Sequence, residues 1–229
     1  MLARSATQDV ISTRPIATPR GKPVVSAHPL SGPIEMTGAP NTYARNAEIY
    51  GENEPAEYLY KVLSGTVRTS KILADGRRQI GAFYLPGDIF GLESGELHGF
   101  SAEAVIESRI LVIKRSALMA LATHDNEVAR QLWTLTGREL NRVQSHVLAL
   151  VKTAEERVVG FLLEMASRVA AGNRIELPMS RQDIADYLGL TIETVSRTLS
   201  HLESTAAIEL PSSRCVVLRN RAVLGRLNG

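Results

Sequence analysis

Cysteine is almost missing from this sequence: Cys215 is the single instance in 229 residues. That excludes an internal disulfide framework and any four-cysteine zinc or iron–sulfur site within one chain, and it fits a reducing compartment. Long apolar runs are missing as well. No uninterrupted stretch reaches eighteen apolar residues, so no membrane-spanning helix is expected, and the first residues lack the compact apolar core of a secretory signal. The expectation is a cytoplasmic protein with no membrane partner. An excess of one charge is also lacking, since 26 Lys and Arg against 24 Asp and Glu leave a net charge of +2. That is too little to argue for nucleic acid by itself.

What is present has ordinary globular proportions, 44% hydrophobic and 22% charged, and enough length for one large domain or two modest ones. Six of the ten prolines fall in the first forty residues with little apolar periodicity between them, so residues 1–44 read as a flexible or loosely docked arm. From there to residue 123, short β-prone runs alternate with glycines in "EYLYKVLSGTVRTSKILADGRRQIGAFYLPGDIFGLE". Asp75-Gly76 is a hairpin signal, because both residues tolerate positive φ. "AVIESRILVIKRSAL" adds further strand. The spacing predicts an antiparallel barrel or jelly-roll.

Over residues 124–151 the period changes to that of a helix. Val128, Leu132 and Leu135, then Leu140, Val143, Val147 and Leu150, follow three- and four-residue steps with one slip near Gly137. Such a stripe either covers the chain's own barrel or meets a second copy. A helix of about 40 Å exceeds what a small domain needs, which favours a dimer seam. Residues 152–229 form the last unit. "TAEERVVGFLLEMASRVAAG" predicts a helix, with Thr153 and Glu156 placed as a capping box and Gly172 as a stop. Four arginines and no acid occur between Leu210 and Gly229. They form either a phosphate-facing surface or a solvated tail.

"SRQDIADYLGLTIETVSRTLSHLE" has the layout of a helix-turn-helix. Ser180 and Asp183 can box the first helix, Ile184 and Leu188 give its buried side, Ala185 permits a close crossing, Gly189 ends it, and Thr191 can cap the second. On a wheel of the second helix, Ser196, Arg197 and Ser200 lie within about 60° of Glu193, and Ile192, Val195, Leu199 and Leu202 lie roughly opposite. The polar stripe is therefore aimed outward near the helix N-terminus, where such helices meet the major groove. Arginine can donate two hydrogen bonds to guanine, and glutamate can accept from cytosine N4. Alone, Glu193 and Arg197 would be a surface pair contributing about 0.3–0.5 kcal/mol to the helix. In this setting they predict base reading.

With these motifs in place the sequence resembles the CRP/FNR superfamily of bacterial transcription regulators over roughly residues 45–222. The resemblance rests on the glycine-spaced roll, on "PGDIFGLE" (Pro86 to Glu93) and on "SRQDIADYLGLTIETVSRTL". It implies an α+β fold: an N-terminal antiparallel β-roll of cyclic-nucleotide-binding type (a jelly roll), a long dimerisation helix and a C-terminal winged helix-turn-helix. Cyclic-AMP-binding members carry Arg-Ser-Ala where this chain has Phe100-Ser101-Ala102, so no cyclic nucleotide is expected. The four-cysteine cluster of the FNR branch is missing, and isolated His98 and His124 do not support haem. What remains resembles the FixK-type group.

The resemblance further implies a homodimer on double-stranded DNA at a TTGAT–N4–ATCAA-like palindrome, in partnership with RNA polymerase, activating genes of microaerobic respiration and nitrogen fixation. Ile192, Glu193, Ser196 and Arg197 would meet bases, with Ile192 against a thymine methyl. Ser180, Arg181, Thr191, Thr194, Ser200 and Arg214 would meet the backbone. A second reading keeps the fold but gates it by an unidentified small molecule in the roll. A third, a metal-dependent enzyme of cupin type, finds no His-x-His pair among the five histidines. No catalytic residue, metal or cofactor is expected. Cys215 reads as a buried small residue of the wing or as an oxidisable thiol near DNA.

Overall fold

The structure, a computed structural model, describes residues 37–169 and 172–228. Two antiparallel four-stranded sheets come first. One sheet orders β1 (Gly38–Tyr43), β8 (Ser108–Lys114), β3 (Tyr58–Ser64) and β6 (Ile89–Phe90). The other orders β2 (Glu48–Tyr50), β7 (Ser101–Ala104), β4 (Val67–Ile72) and β5 (Arg78–Tyr84). Tyr50, Tyr60, Val62, Val67, Ala82, Tyr84, Phe90 and Ile110 pack together between them. Asp75-Gly76 makes the β4–β5 turn, with Gly76 at φ 83°.

The last residues expected to belong to the arm of residues 1–44 include a strand, Gly38–Tyr43. Residues 1–36 lie outside the described residues, while β1 pairs with β8 from Gly38 to Tyr43. Pro40, one of the prolines behind that expectation, sits on the sheet's outermost strand. An edge strand tolerates a residue without an N–H where a central strand does not.

β5 carries the irregularity that shapes the molecule. Thr69 pairs with Ala82 but Ser70 pairs with Ile80, so Gly81 is one residue too many. A bulge of this kind shifts the in–out alternation by one. Ala82 and Tyr84 consequently face the roll's interior, while Ile80 and Phe83 share the outer face. A Cβ at position 81 would approach the Phe100 ring to 3.0 Å, which favours glycine at the bulge.

A short helix, α1 (Arg115–His124), leads to α2 (Asn126–Leu150), which Asp125 caps by accepting from the Glu127 and Val128 amides. At 25 residues α2 is about 37 Å long. The remaining chain forms α3 (Ala154–Val169), β9 (Arg174–Glu176), α4 (Arg181–Leu188), α5 (Ile192–Ser204), β10 (Ile208–Ser212), β11 (Cys215–Leu218) and α6 (Arg221–Leu227). The Thr153–Glu156 capping box is present, with the Thr153 amide donating to Glu156 at 2.7 Å. β10, β11 and β9 pair as the wing sheet. Phe161, Leu162, Tyr187, Val195, Leu199 and Leu202 fill this head, and its core continues without a break into Ile80, Phe83, Leu85 and Val105 of the roll.

The slip in the apolar stripe of α2 is a change of face. Val128 and Leu135 are buried against the chain's own roll with Leu59, Leu111 and Ile113, and Leu132 packs beside them. These three residues are therefore removed from the expected seam. Leu140, Val143 and Val147 are exposed, and Leu150 is half-buried. Trp133, 81% exposed, and Val151 extend the outward stripe. Trp133, Leu140, Val147 and Val151 fall within about 40° of one another at about 100° per residue. The repeat 133–140–147 was the sequence signal for this.

Candidate nucleic-acid interface

The helix pair is built by local chemistry. Ser180 Oγ accepts from the Asp183 amide at 3.1 Å, and Asp183 Oδ2 accepts from the Ser180 amide at 3.0 Å, which closes a capping box at the start of α4. Gly189 ends α4 in the left-handed region at φ 62°. Thr191 caps α5 by accepting from the Thr194 amide at 3.2 Å. Ala185 is fully buried at the crossing, and Val195, Leu199 and Leu202 anchor α5 to the head.

The opposite side of α5 faces solvent. Glu193, Arg197, Ser200 and Thr191 are exposed; Ser196, Thr194, Arg181 and Arg214 are partly so. Among the described residues no ion pair joins Glu193 to Arg197, and both side chains are exposed. The Glu193 carboxyl is held below the usual range by its own backbone N–H and the Thr191 hydroxyl, against a small desolvation effect, with Arg197 adding least. It therefore stays an acceptor. A groove of about 710 Å³ lies between the N-terminal end of α5 and the β4–β5 hairpin, lined by Leu73, Arg77 and Arg78 on one side and Thr191, Glu193 and Thr194 on the other.

Two expected contacts have other engagements. Ile192 is half-buried and packs against the head's core, leaving only one side of its chain outward. Arg214 donates to the Pro178 carbonyl at 3.3 Å. Arg219 pairs with Glu209 and Arg221 donates to the Gly172 carbonyl, so much of the basic C-terminal stretch is occupied within the head. Cys215 is buried in β11, and burial is the chief cause of its raised pKa.

The head is held against the roll by a cluster with no local signature in the sequence. Arg68 on β4 donates to Glu103 at 2.6 Å and to Asp183 at 3.1 Å. Arg78 on β5 reaches Asp183 at 2.6 Å and Asp186 at 2.7 Å. The Gln79 amide donates to the Tyr187 carbonyl at 3.3 Å. Burial would raise the Asp183 pKa, but the Ser180 donors and the two guanidiniums outweigh it and the carboxyl is held down.

Beneath this cluster, Phe83 lies 5.3 Å from Tyr187 between ring centroids. On α2, Arg142 pairs with Glu139 and sits 4.7 Å over the Tyr84 ring, while His146 stacks on Tyr187 at 4.2 Å. Tyr84, Glu139, Arg142 and His146 border a cavity of about 560 Å³ between roll and helix, also lined by Tyr50, Phe100 and Glu93. His98 is buried in the roll and stacked on Tyr50 at 3.6 Å; His124 is exposed.

Comparison with known proteins agrees with this architecture. Residues 40–125 match the cyclic nucleotide-binding domain family, and residues 156–227 match the Crp-like helix-turn-helix domain family. The nitrogen fixation regulation protein FixK of Azorhizobium caulinodans is 55% identical over 201 residues, covering 85% of this chain and 81% of that protein. The chain belongs to the CRP/FNR family. Within it, FixK of Rhizobium meliloti is 40% identical, covering 82% of this chain and 84% of that protein. The solved structure of FixK2 from Bradyrhizobium japonicum is 52% identical with a TM-score of 0.81, covering 84% of this chain and 98% of that one. As a CRP/FNR-family member the chain is a transcription regulator with a DNA-binding helix-turn-helix. No helix among its described residues is long and apolar enough to cross a membrane.

Proposed function

We propose that the chain binds DNA as a homodimer, reads a TTGAT–N4–ATCAA-like palindrome, and activates transcription of nitrogen-fixation and microaerobic-respiration genes together with RNA polymerase. The observation that carries this reading is the exposure of Glu193 and Arg197 on an α5 whose apolar side is anchored in the head. Arg197 would fork onto guanine O6 and N7, Glu193 would accept from cytosine N4, and Ser196 would lie between them. Ser180, Arg181, Thr191, Thr194, Ser200 and Arg214 would approach the flanking phosphates; Ser180 and Thr191 would do so while also serving as caps. The names of the FixK relatives support the nitrogen-fixation part of this reading, and the resemblance to the FixK-type group implies the microaerobic part.

The exposed stripe of Trp133, Leu140, Val143, Val147 and Val151 would form the seam between protomers. Each protomer would then present one reading helix to one half-site. Replacing Arg197 by alanine is expected to weaken binding to the palindrome by about 1–3 kcal/mol and to relax discrimination at its guanine. Titration of matched and guanine-substituted duplexes at fixed salt measures this. An equal loss on every sequence would remove the base contact.

The cavity between roll and α2 favours one alternative, gating by a small molecule. Cyclic nucleotides suit it poorly: Phe100 lines it, and Arg142 is already paired with Glu139. Full palindrome affinity of the purified protein without additives would decide for the ungated reading.

A further inference from the structure

We propose that Arg68 and Arg78 set the spacing between half-sites that the protein accepts, although both act from the roll and not from the reading face. The proposal rests on the dimeric palindrome reading above and adds the residues that hold the two heads at one separation.

In a dimer joined along α2, that separation depends on how each head is seated on its own protomer. The covalent link from α2 to α3 is short, Val151 to Thr153, but its single bonds permit rotation. Seating is left to the contact between roll and head, which has two parts of different character. Ile80, Phe83, Leu85 and Val105 meet the head through apolar surface, which attracts without direction. Arg68 and Arg78 meet it through fixed forks. Arg68 bridges Glu103 and Asp183; Arg78 bridges Asp183 and Asp186. A planar guanidinium holds two oxygens only in a narrow range of orientations.

Burial makes the pairing obligatory. The Arg68 and Asp183 side chains are 11% and 6% exposed, so neither has water as an adequate alternative partner. Buried pairs of this kind add little net stability relative to apolar packing, and fixing one arrangement among several is their best-attested use. Asp183 also closes the capping box of α4, so the roll grips the residue from which the helix pair starts. Displacement is then amplified along the head. A rotation of about 10° over about 20 Å, the length of the 13-residue α5, moves its far end by about 3.5 Å. That is one base-pair step along the duplex axis, about 3.4 Å.

The test uses the full chain and duplexes carrying the palindrome with its four-base-pair spacer, with one base pair fewer and with one more, at a single stated salt. Wild type is expected to prefer the four-base-pair spacer by at least about tenfold. Arg68→Gln/Arg78→Gln is expected to compress that preference to less than about threefold, with the dimer and the affinity for non-specific DNA unchanged. Arg78→Lys keeps the charge, loses the fork and should fall between. Exchanging the partners, Arg78→Glu with Asp186→Arg, should restore part of the preference. A merely stabilising role would lower affinity for all spacers by one factor; that result, or a wild-type preference intact in Arg78→Lys and the double variant alike, overturns the proposal. Wild type with no preferred spacer would instead overturn the palindrome reading and this proposal with it.

Discussion

Leu140→Asp is expected to yield a folded monomer that has lost the palindrome. Leu140 is 55% exposed on the outward face of α2 and belongs to no apolar cluster among the described residues, so the substitution should leave the protomer intact. The helix itself loses only a few tenths of a kcal/mol in propensity, about 0.5. Two carboxylates facing each other across the seam, with no counter-charge among Trp133, Val143, Val147 and Val151, would prevent association. Affinity for the two-half-site duplex should then fall by on the order of 10²–10⁴, the advantage that linkage of two binding heads confers. Sedimentation gives the mass and circular dichroism the fold. An unchanged dimer would take Leu140 out of the seam, and an unfolded chain would show that α2 serves this protomer's own core beyond Leu135.

Phe83→Ala is expected to cost about 3–5 kcal/mol, as large-to-small changes of a buried aromatic do. Phe83 is 2% exposed and sits where the roll, α3 and α4 meet, 6.3 Å from Phe161 and 5.3 Å from Tyr187 between ring centroids. One core runs through both units, so wild type should melt in a single calorimetric transition. Without the Phe83 ring the shared part opens, and roll and head should melt separately. A single transition retained with a small loss of stability would show that the surrounding apolar contacts join the units without it.

The parts of the molecule that were legible in the sequence are those decided within a few residues. Ser180 and Asp183, Gly189, Thr191 and the Thr153–Glu156 box each carry their reason in local hydrogen bonding or in the backbone freedom of glycine. The outward polar stripe of α5 was legible for the same reason, since one helix fixes its own angular order. The roll was legible as glycine-spaced strands, though its first strand was hidden behind Pro40. The union of roll and head was not legible. It depends on Gly81 shifting the alternation of β5, and on contacts such as Arg78 with Asp186, 108 residues apart in sequence. Nothing near either residue announces the other. The stripe of α2 hides its division for a related reason: two faces of one helix, one for the chain's own roll and one outward, merge into a single apolar periodicity in the sequence.

Trp133 is the chain's single tryptophan, and its indole stands almost wholly in water on the isolated protomer. Its emission is therefore an unlabelled optical gauge of self-association. Dilution through the dissociation range should move the spectrum towards the red, and Leu140→Asp should fix it there at every concentration. A spectrum that ignores concentration would place the indole outside the contact.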